Sequence, residues 1–320
     1  MFESRIDFSQ LNGRIQAARD AVGSLIVGQR QMVDLLLVAV LSEGHVLIEG
    51  VPGIAKTLTA KLLARTIDAR FSRIQFTPDL MPSDVTGSSV YLPAKGVFEF
   101  RRGPVFANII LTDEINRAPA KTQASLFEVM EERQITYDGV TYPMDYPFMV
   151  VATQNLIDQE GTYRLPEAQL DRFMFKILVD YPDAAQEVEI MQRHNSGLFA
   201  QAPDLPKIID AGVIRDLRSS IQGVYVKPEL LQYIAGIVTA TRGNPALYLG
   251  ASPRASIALL NGAKAWAAMA GRDFITPEDI QELAYPVLRH RIMLSPDKEM
   301  EGLTPDDLIK QVLQKIEVPR

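Results

Sequence analysis

Residues 50–57 have the types and spacing of a phosphate-binding loop. The segment follows an apolar run, His45–Glu49, and precedes a stretch with helical spacing. In that context backbone N–H groups can cradle phosphates, Lys56 can reach the outer phosphates, and the Thr57 hydroxyl can ligate Mg²⁺. Glycine is usual before the lysine, and this chain has alanine, the next smallest residue. We expect nucleotide contacts from Gly50, Val51, Pro52, Gly53, Ile54, Ala55, Lys56 and Thr57.

Two acidic residues follow a second apolar segment. Residues 109–112 are apolar apart from one threonine, and Asp113 and Glu114 come directly after them. The C-terminal edge of such a strand is where ligands bind in open α/β sheets. We therefore expect Asp113 to hold Mg²⁺ together with Thr57, and Glu114 to polarise an attacking water. The intact acidic pair argues against a nucleotide-binding scaffold without turnover, which would commonly lose one of the two.

Three further polar residues lie at the ends of predicted elements. Asn155 follows the run Phe148–Thr153, where an amide can orient a water or touch the γ-phosphate, although asparagine there also suits a turn. Arg172 precedes the run Phe173–Val179, where ring-forming ATPases place an arginine that stabilises charge in a neighbouring site, and a surface ion pair is the alternative. Arg254 opens a helix, which suits either a γ-phosphate sensor or an ordinary helix start.

Short apolar runs alternate with stretches of helical spacing up to about residue 180. Continuous apolar runs are typical of strands that are buried on both faces of a parallel sheet. The alternation therefore predicts a three-layer α/β domain with a parallel sheet. The predicted strands are His45–Glu49, Phe71–Phe76, Asn108–Thr112, Phe148–Thr153 and Phe173–Val179, and the predicted helices are 9–23, 29–43, Thr57–Ile67 and Ala118–Glu132.

Two segments interrupt this alternation as predicted hairpins. Ser88–Phe106 alternates apolar and polar residues around a Pro-Ala-Lys-Gly turn, and Gln134–Tyr142 carries Asp138-Gly139, a strong two-residue turn signal. Two interpretations stay open for each segment: an edge hairpin of the sheet, or a loop that faces a substrate. After about residue 180 the strand signals disappear, and capped helical patterns predict a small helical domain.

The composition excludes several kinds of site. The chain has 320 residues, no cysteine and three histidines far apart in sequence, which excludes disulfides and cysteine nucleophiles and argues against a histidine-rich metal site. A net charge of −6 disfavours general binding to a phosphate backbone. No uncharged apolar run reaches the roughly 18 residues of a membrane-spanning helix, and no signal-peptide pattern opens the chain. We therefore expect a cytoplasmic protein without a membrane span.

In this order the motifs resemble those of AAA+ ATPases, and in detail those of the MoxR family. The resemblance runs from about Gly28 to Leu303. It implies an AAA+ P-loop three-layer αβα domain with a parallel sheet over residues 1–200, followed by a small all-α lid domain over residues 201–320. The motifs are GVPGIAKT at 50–57, FTPDLMPSDVTG at 76–87, ANIILTDEINRAPAKTQASLFEVMEERQIT at 107–136, VVATQN at 150–155, EGTYRLPEAQLDRF at 160–173 and GASPRA at 250–255.

The resemblance also implies roles for individual segments and residues. ATP or ADP would bind with Mg²⁺ at the loop, where alanine before the lysine is common in the family. The hairpins would be the helix-2 insert and the pre-sensor-1 hairpin, and residues 182–205 the insertion that repositions the lid. Whether Arg254 serves its own site or the adjacent one stays open. The implied roles are the Walker B pair for Asp113 and Glu114, sensor 1 for Asn155, a trans-acting arginine finger for Arg172, sensor 2 for Arg254, adenine contacts for Val27, Gly28 and Gln29, and a contact with a neighbouring subunit for Arg117.

The implied function is that of a homo-oligomeric ring, expected to be a hexamer, which hydrolyses ATP and remodels or activates partner proteins like a chaperone. In the family the partner often has a von Willebrand factor A domain, and the task often involves metal or cofactor insertion or complex assembly. Two alternatives stay open. One is a magnesium-chelatase-like motor subunit, and the other is a helicase-like motor that depends on DNA.

The hairpin tips favour a protein partner over nucleic acid. Loops that track a phosphate backbone need lysine or arginine. The second tip has Asp138 and no cation, and the first has Lys95 at its turn, with Arg101 and Arg102 at its base. We therefore expect no nucleic-acid partner. The aromatic residues expected to grip a polypeptide are Phe98, Phe100, Tyr137 and Tyr142.

Overall fold

The computed structural model describes residues 6–51, 54–154, 163, 165–196 and 205–319. Among the described helices, none combines the length and the apolar character needed to cross a bilayer. The strands are β1 (Val46–Gly50), β2 (Phe71–Gln75), β3 (Gly87–Leu92), β4 (Val97–Arg102), β5 (Ile109–Asp113), β6 (Gln134–Tyr137), β7 (Val140–Pro143), β8 (Met149–Gln154), β9 (Phe175–Val179), β10 (Leu247–Leu249) and β11 (Met293–Leu294). The helices are α1 (Ser9–Gly23), α2 (Arg30–Leu41), α3 (Lys56–Thr66), α4 (Pro82–Thr86), α5 (Ala120–Glu132), α6 (Glu167–Leu170), α7 (Ala184–Asn195), α8 (Ala211–Gln222), α9 (Pro228–Arg242), α10 (Pro253–Met269), α11 (Pro277–Leu288), α12 (Pro296–Met300) and α13 (Pro305–Lys315).

A five-stranded parallel sheet is the framework of the first part of the chain. Its strand order is β2-β5-β8-β1-β9, and all four pairings are parallel. Its strands are apolar on both faces because helices cover both faces, and every residue of β5 is buried. The predicted parallel sheet is therefore confirmed. Each predicted strand and helix of this part is present, with its ends shifted by at most two residues.

Apolar side chains on the two faces of the sheet belong to two separate clusters. In β5, Ile109 and Leu111 join one cluster and Ile110 joins the other, as the two-residue period of a strand requires. The larger cluster includes side chains of α1, α2 and α3, and the smaller one lies under α5 around Phe127. The sheet is thus the middle of three layers. The larger cluster also takes in the helices of the second domain, so that domain packs directly on the first helical layer.

The second domain is formed mainly by α8–α11 and α13. Helix α10 packs on α2, and α11 packs on β9. The predicted helical lid is present, and it also carries a short antiparallel pair, β10 and β11, which the sequence did not predict. Strands of three and two residues are too short to show an alternating pattern. The boundary between residues 200 and 201 falls outside the described residues and stays a prediction, and α7 covers part of the predicted 182–205 insertion.

The two predicted hairpins are present and pack against each other. Hairpin 1 pairs β3 with β4, and hairpin 2 pairs β6 with β7. The Phe100 ring stacks between the rings of Tyr137 and Tyr142, at centroid distances of 5.0 and 4.7 Å. Phe98, near the tip of hairpin 1, is 72% exposed. Of the four aromatic residues expected to grip a polypeptide, three therefore pack between the hairpins, and only Phe98 is exposed in the manner expected.

His45 joins three parts of the first domain at the start of β1. Its Nδ1 accepts a hydrogen bond from the Val150 N–H at 3.0 Å. Nε2 therefore carries the proton and donates to the Met130 carbonyl of α5 at 3.1 Å. Burial lowers the pKa of His45 to about 4. The neutral ring thus ties the last turn of α5 to β8.

The depressed pKa of His45 predicts acid-sensitive stability. Between pH 6.5 and about 4 the unfolded chain binds a proton at His45 that the folded chain excludes. The free energy of unfolding contributed by this group is complete above pH 6.5 and falls as the pH drops through that window, by about 3 kcal/mol. Urea unfolding measured from pH 7.5 downward should show this loss.

The matched variants are His45→Gln and His194→Gln. His45→Gln should make the pH dependence shallower than in the wild-type chain, and His194→Gln is the same change at an exposed position for comparison. Some dependence should persist in His45→Gln, because burial also lowers the pKa of His290. An equal slope in the wild-type and His45→Gln chains would contradict the assignment.

Candidate active site

The loop after β1 begins at the C-terminal edge of the sheet. A Cβ atom at Gly50 would lie 2.4 Å from the Val179 carbonyl oxygen of β9, so only glycine fits there. Ala55, directly before α3, has a φ of 58°, the left-handed conformation that glycine adopts most easily. This is the position where the usual motif has glycine, and the chain adopts the same backbone with alanine. Val51 and Ile54 belong to the same loop, and Pro52 and Gly53 lie outside the described residues.

Lys56 is folded back onto the loop at the start of α3. Its Nζ donates to the Gly50 carbonyl oxygen at 2.7 Å, and the side chain is buried. Burial lowers the pKa of Lys56, and the nearby carboxylates of Asp113, Glu114 and Glu49 oppose that shift. The ammonium group therefore lies within the electrostatic reach of both acids that follow β5.

Asp113 is the point on which the predicted residues converge. The Thr57 hydroxyl donates to Oδ2 of Asp113 at 3.3 Å, so the structure brings the two predicted Mg²⁺ ligands together. The Thr153 hydroxyl donates to Oδ1 at 3.1 Å, and Arg73 Nε donates to Oδ2 at 2.6 Å. The carboxylate is thus held from β8, from β2 and from the start of α3.

Glu114 follows directly, in a left-handed conformation with a φ of 56°. Its backbone N–H donates to the Thr153 hydroxyl at 3.0 Å. Its Oε2 accepts from Gln75 Nε2 at 3.2 Å and from Arg117 at 2.8 Å. The backbone turn separates the two acidic side chains, and donors from neighbouring elements hold the second one at the edge of the sheet.

Sequence reasoning missed Arg73, Gln75 and Thr153. Arg73 and Gln75 lie on β2 and Thr153 on β8, the two strands that flank β5. In the pairing of β2 with β5, Gln75 lies opposite Asp113. Polar residues at the C-terminal ends of predicted strands were the available signal, but only the strand order shows which of them meet.

The donor set around Asp113 suits Mg²⁺. Mg²⁺ prefers oxygen ligands and is usually bound by one or two carboxylates together with substrate phosphates. A hydroxyl and a carboxylate converge here, from Thr57 and Asp113. In the described ranges no group of three or more acidic or histidine side chains is placed so that it could hold a metal ion by itself. Arg73 donates to the same oxygen and would have to share or release it.

Gly28 and Gln29 line a different cavity, of about 600 Å³, between α1 and α7. Gly28 has a φ of 78°, and a Cβ there would lie 2.7 Å from the side chain of Gln186 on α7. The cavity walls include Arg19 and Arg193. Among the described residues none of the loop 50–57 lines this cavity, so their meeting at one nucleotide stays a prediction.

Arg172 and Arg254 lie at the opposite edge of the sheet. Arg172 precedes β9, and Arg254 opens α10. Both guanidinium groups bind Glu131 of α5, Arg172 Nε at 3.2 Å and Arg254 at 2.7 Å, beside a cavity of about 320 Å³. A five-residue strand spans about 16 Å between the two edges, so these arginines do not meet Lys56. Asn155 lies outside the described residues.

Comparison with known proteins decides the family. A model described as "ATPase family associated with various cellular activities (AAA)" matches residues 45–175, and one described as "AAA lid domain" matches residues 239–312. The chain is 44% identical to Chaperone MoxR1 of Mycobacterium tuberculosis, over 93% of this chain and 81% of that protein. It is 30% identical to Protein MoxR of Paracoccus denitrificans, over 98% of each. The chain belongs to the MoxR family of AAA ATPases.

A solved structure agrees with this assignment. A crystal structure of a protein from Cytophaga hutchinsonii superposes with a TM-score of 0.89 at 45% identity, covering 97% of this chain and 96% of that one. The predicted MoxR resemblance and the AAA+ fold with its helical lid are therefore confirmed. Membership of the MoxR family implies nucleotide binding, whereas the roles of individual side chains stay predictions.

Proposed function

We propose that this MoxR-family chain hydrolyses ATP with Mg²⁺ at the C-terminal edge of the sheet, as a ring-forming homo-oligomer that remodels partner proteins. The observation that carries the proposal is the convergence on Asp113 of Thr57 from the loop helix and Thr153 from β8. Lys56 lies beside this pair, held on the Gly50 carbonyl. Hydroxyl, carboxylate and ammonium groups thus meet at the helix N-terminus, where phosphates bind.

In this proposal each side chain has one task. Lys56 exchanges the Gly50 carbonyl for the outer phosphates, which also offsets the burial that lowers its pKa. Thr57 and Asp113 hold Mg²⁺, which when bound neutralises charge on the phosphates. Glu114 polarises the attacking water, and Gln75 orients its carboxylate through the 3.2 Å hydrogen bond.

The position of Arg172 and Arg254 supports action in trans. Both lie about a strand length away from Lys56, at the other edge of the sheet. Their side chains are partly exposed, 31% for Arg172 and 46% for Arg254, so a neighbouring subunit can reach them. A head-to-tail contact that repeats around a closed ring would bring this edge to the neighbour's nucleotide. We take the ring to be a hexamer on the family resemblance, and we assign Arg254 to the adjacent site.

The partner in this proposal is a protein. The word chaperone in the name of the Mycobacterium tuberculosis relative supports it. So do the hairpin tips, because Lys95 lies 3.8 Å from Glu99 and its charge is partly neutralised, while Asp138 is the charged residue at the other tip. A partner with a von Willebrand factor A domain, and a task in metal or cofactor insertion or complex assembly, follow from the family resemblance alone.

Substitution of Glu114 tests the chemistry. Glu114→Gln should keep ATP binding, because Asp113 and Lys56 remain, and should lower phosphate release by at least about 100-fold, because water activation is lost. Lys56→Ala should instead weaken ATP binding itself. Binding of a fluorescent nucleotide and release of phosphate separate the two effects. The control is Glu282→Gln, the same change at an exposed position on α11, and normal turnover by Glu114→Gln would refute the assignment.

Mixing two inactive variants tests action in trans. Arg172→Ala should lose turnover by about 10³-fold, as documented arginine fingers do, and Lys56→Ala should lose it through ATP binding. In a mixed ring, a Lys56→Ala subunit still supplies Arg172 to the intact nucleotide site of an Arg172→Ala neighbour. The mixture should therefore regain activity that neither variant has alone. If Arg172 served its own site, mixing would restore nothing.

The nature of the partner is tested by adding candidate substrates. An unfolded model protein should raise the ATPase rate several-fold, whereas single- and double-stranded DNA should leave it unchanged at every salt concentration. Phe98→Ser should weaken the response to protein and spare basal turnover, with the exposed Tyr248→Ser as its control. Stimulation by DNA that fades steeply with salt would favour the nucleic-acid motor instead.

A further inference from the structure

Glu131 bridges the two arginines at the second edge of the sheet. Its Oε1 accepts from Arg254 at 2.7 Å, and its Oε2 lies 3.2 Å from Arg172 Nε. One carboxylate thus forms ion pairs with two guanidinium groups, one from the first domain and one from the lid. The contact with Arg254 is a hydrogen bond, whereas the buried Nε of Arg172 lies close to the carboxylate without forming one. No pattern in the sequence singles out this residue, which precedes two other charged residues, Glu132 and Arg133, near the end of a helix.

The alternative carboxylate is already engaged. Asp171 lies 4.0 Å from Arg254, which is at the limit of an ion pair. Its Oδ1 accepts from Arg291 at 2.9 Å and its Oδ2 accepts from the Ser252 hydroxyl at 2.8 Å. Arg291 is buried and also donates hydrogen bonds to backbone carbonyl oxygens of the first domain. The Asp171 carboxylate is therefore occupied by contacts between the first domain and the lid. Glu131 is therefore the closer anionic partner of both partly exposed arginines.

The backbone that carries Glu131 is anchored on both sides. The carbonyl oxygen of Met130, the preceding residue, accepts a hydrogen bond from Nε2 of buried His45. Two residues further on, Arg133 pairs with the Glu43 carboxylate and donates to the Glu43 carbonyl oxygen at 3.0 Å. The last turn of α5 is thus tied to the segment before β1 and cannot shift independently of the sheet.

The negative charge of Glu131 does not stabilise helix α5. The C-terminal end of a helix carries partial negative charge, so an acidic residue in the last turn is unfavourable there. Helix α5 ends with Glu131 and Glu132 and has no basic residue in its last turn. The arginine pair offsets that repulsion at Glu131. In turn the carboxylate screens two like-charged guanidinium groups that would otherwise repel each other.

We propose that Glu131 is a positioning residue, which holds Arg172 and Arg254 side by side so that both reach a neighbouring subunit's nucleotide together. The inference rests on the trans role proposed above for the two arginines. Glu131 acts through these side chains and touches no nucleotide itself. Because Arg254 belongs to the lid, the same bridge fixes the lid relative to α5 at the subunit contact.

The test places Glu131→Gln in one or the other subunit of the mixed ring. The donor is the Lys56→Ala chain, which supplies the arginines, and the acceptor is the Arg172→Ala chain, which holds the nucleotide. Glu131→Gln in the donor should lower the recovered kcat by about tenfold and leave the KM for ATP unchanged, because the acceptor binds the nucleotide. The same change in the acceptor should have no effect. Glu132→Gln in the donor is the matched control, since Glu132 forms no ion pair among the described residues.

Each other outcome overturns the inference in a recognisable way. An equal loss from donor and acceptor would mean that Glu131 supports the fold generally, and thermal melting of each variant reports that directly. A gain in kcat would mean that Glu131 restrains the arginines rather than positioning them. No change in the donor would mean that the bridge is incidental. If the parent mixture recovers no activity, the trans role itself fails, and that result is separate from any effect of Glu131.

Discussion

The parallel pairing of β5 with β8, and of β8 with β1, aligns the C-terminal ends of these three strands at one edge of the sheet. Everything at the candidate site depends on that alignment. The loop leaves β1, Asp113 ends β5, and Thr153 lies near the end of β8. Residues that are dozens of positions apart come within hydrogen-bond distance because their strands are neighbours. The parallel pairing of β1 with β9 likewise places Arg172, which precedes β9, at the other edge.

Helix α5 connects the two edges. It begins shortly after Glu114 and Arg117 and ends at Glu132, directly after Glu131, and hairpin 2 begins two residues later. Thirteen helical residues span about 20 Å, close to the depth of the sheet. Hairpin 2 in turn stacks on hairpin 1 through Phe100. Helix α5 thus lies between the acids of the candidate site and the arginine pair, and hairpin 2 continues from it to hairpin 1.

The confirmed strands and helices of the first domain are those whose signal in the sequence is local. The segment 50–57 and the acids after β5 were each recognised from a few consecutive residues, and the roles assigned to their side chains stay predictions. Arg73, Gln75 and Thr153 were missed because their role depends on strand order, which spacing along the chain does not encode. The sequence also did not show whether Phe100 is packed or exposed, because an aromatic residue on a hairpin can face either solvent or a second hairpin. The pair β10 and β11 was too short to leave a pattern.

The charges at the candidate site argue for a site completed between subunits. The C-terminal edge of the sheet carries positive and negative side chains close together. The positive ones are Lys56, Arg73 and Arg117, and the negative ones are Glu49, Asp113 and Glu114. Arg73 and Arg117 are engaged by the two acids that follow β5, so these cations are already balanced. Incoming phosphates bring further negative charge that Lys56 and one Mg²⁺ only partly offset. Two partly exposed arginines at the opposite edge have the complementary charge but lie too far from this chain's own loop. In the proposed ring, one edge would meet the other edge of the neighbouring subunit, and the two arginines would supply the positive charge that each chain's own loop lacks.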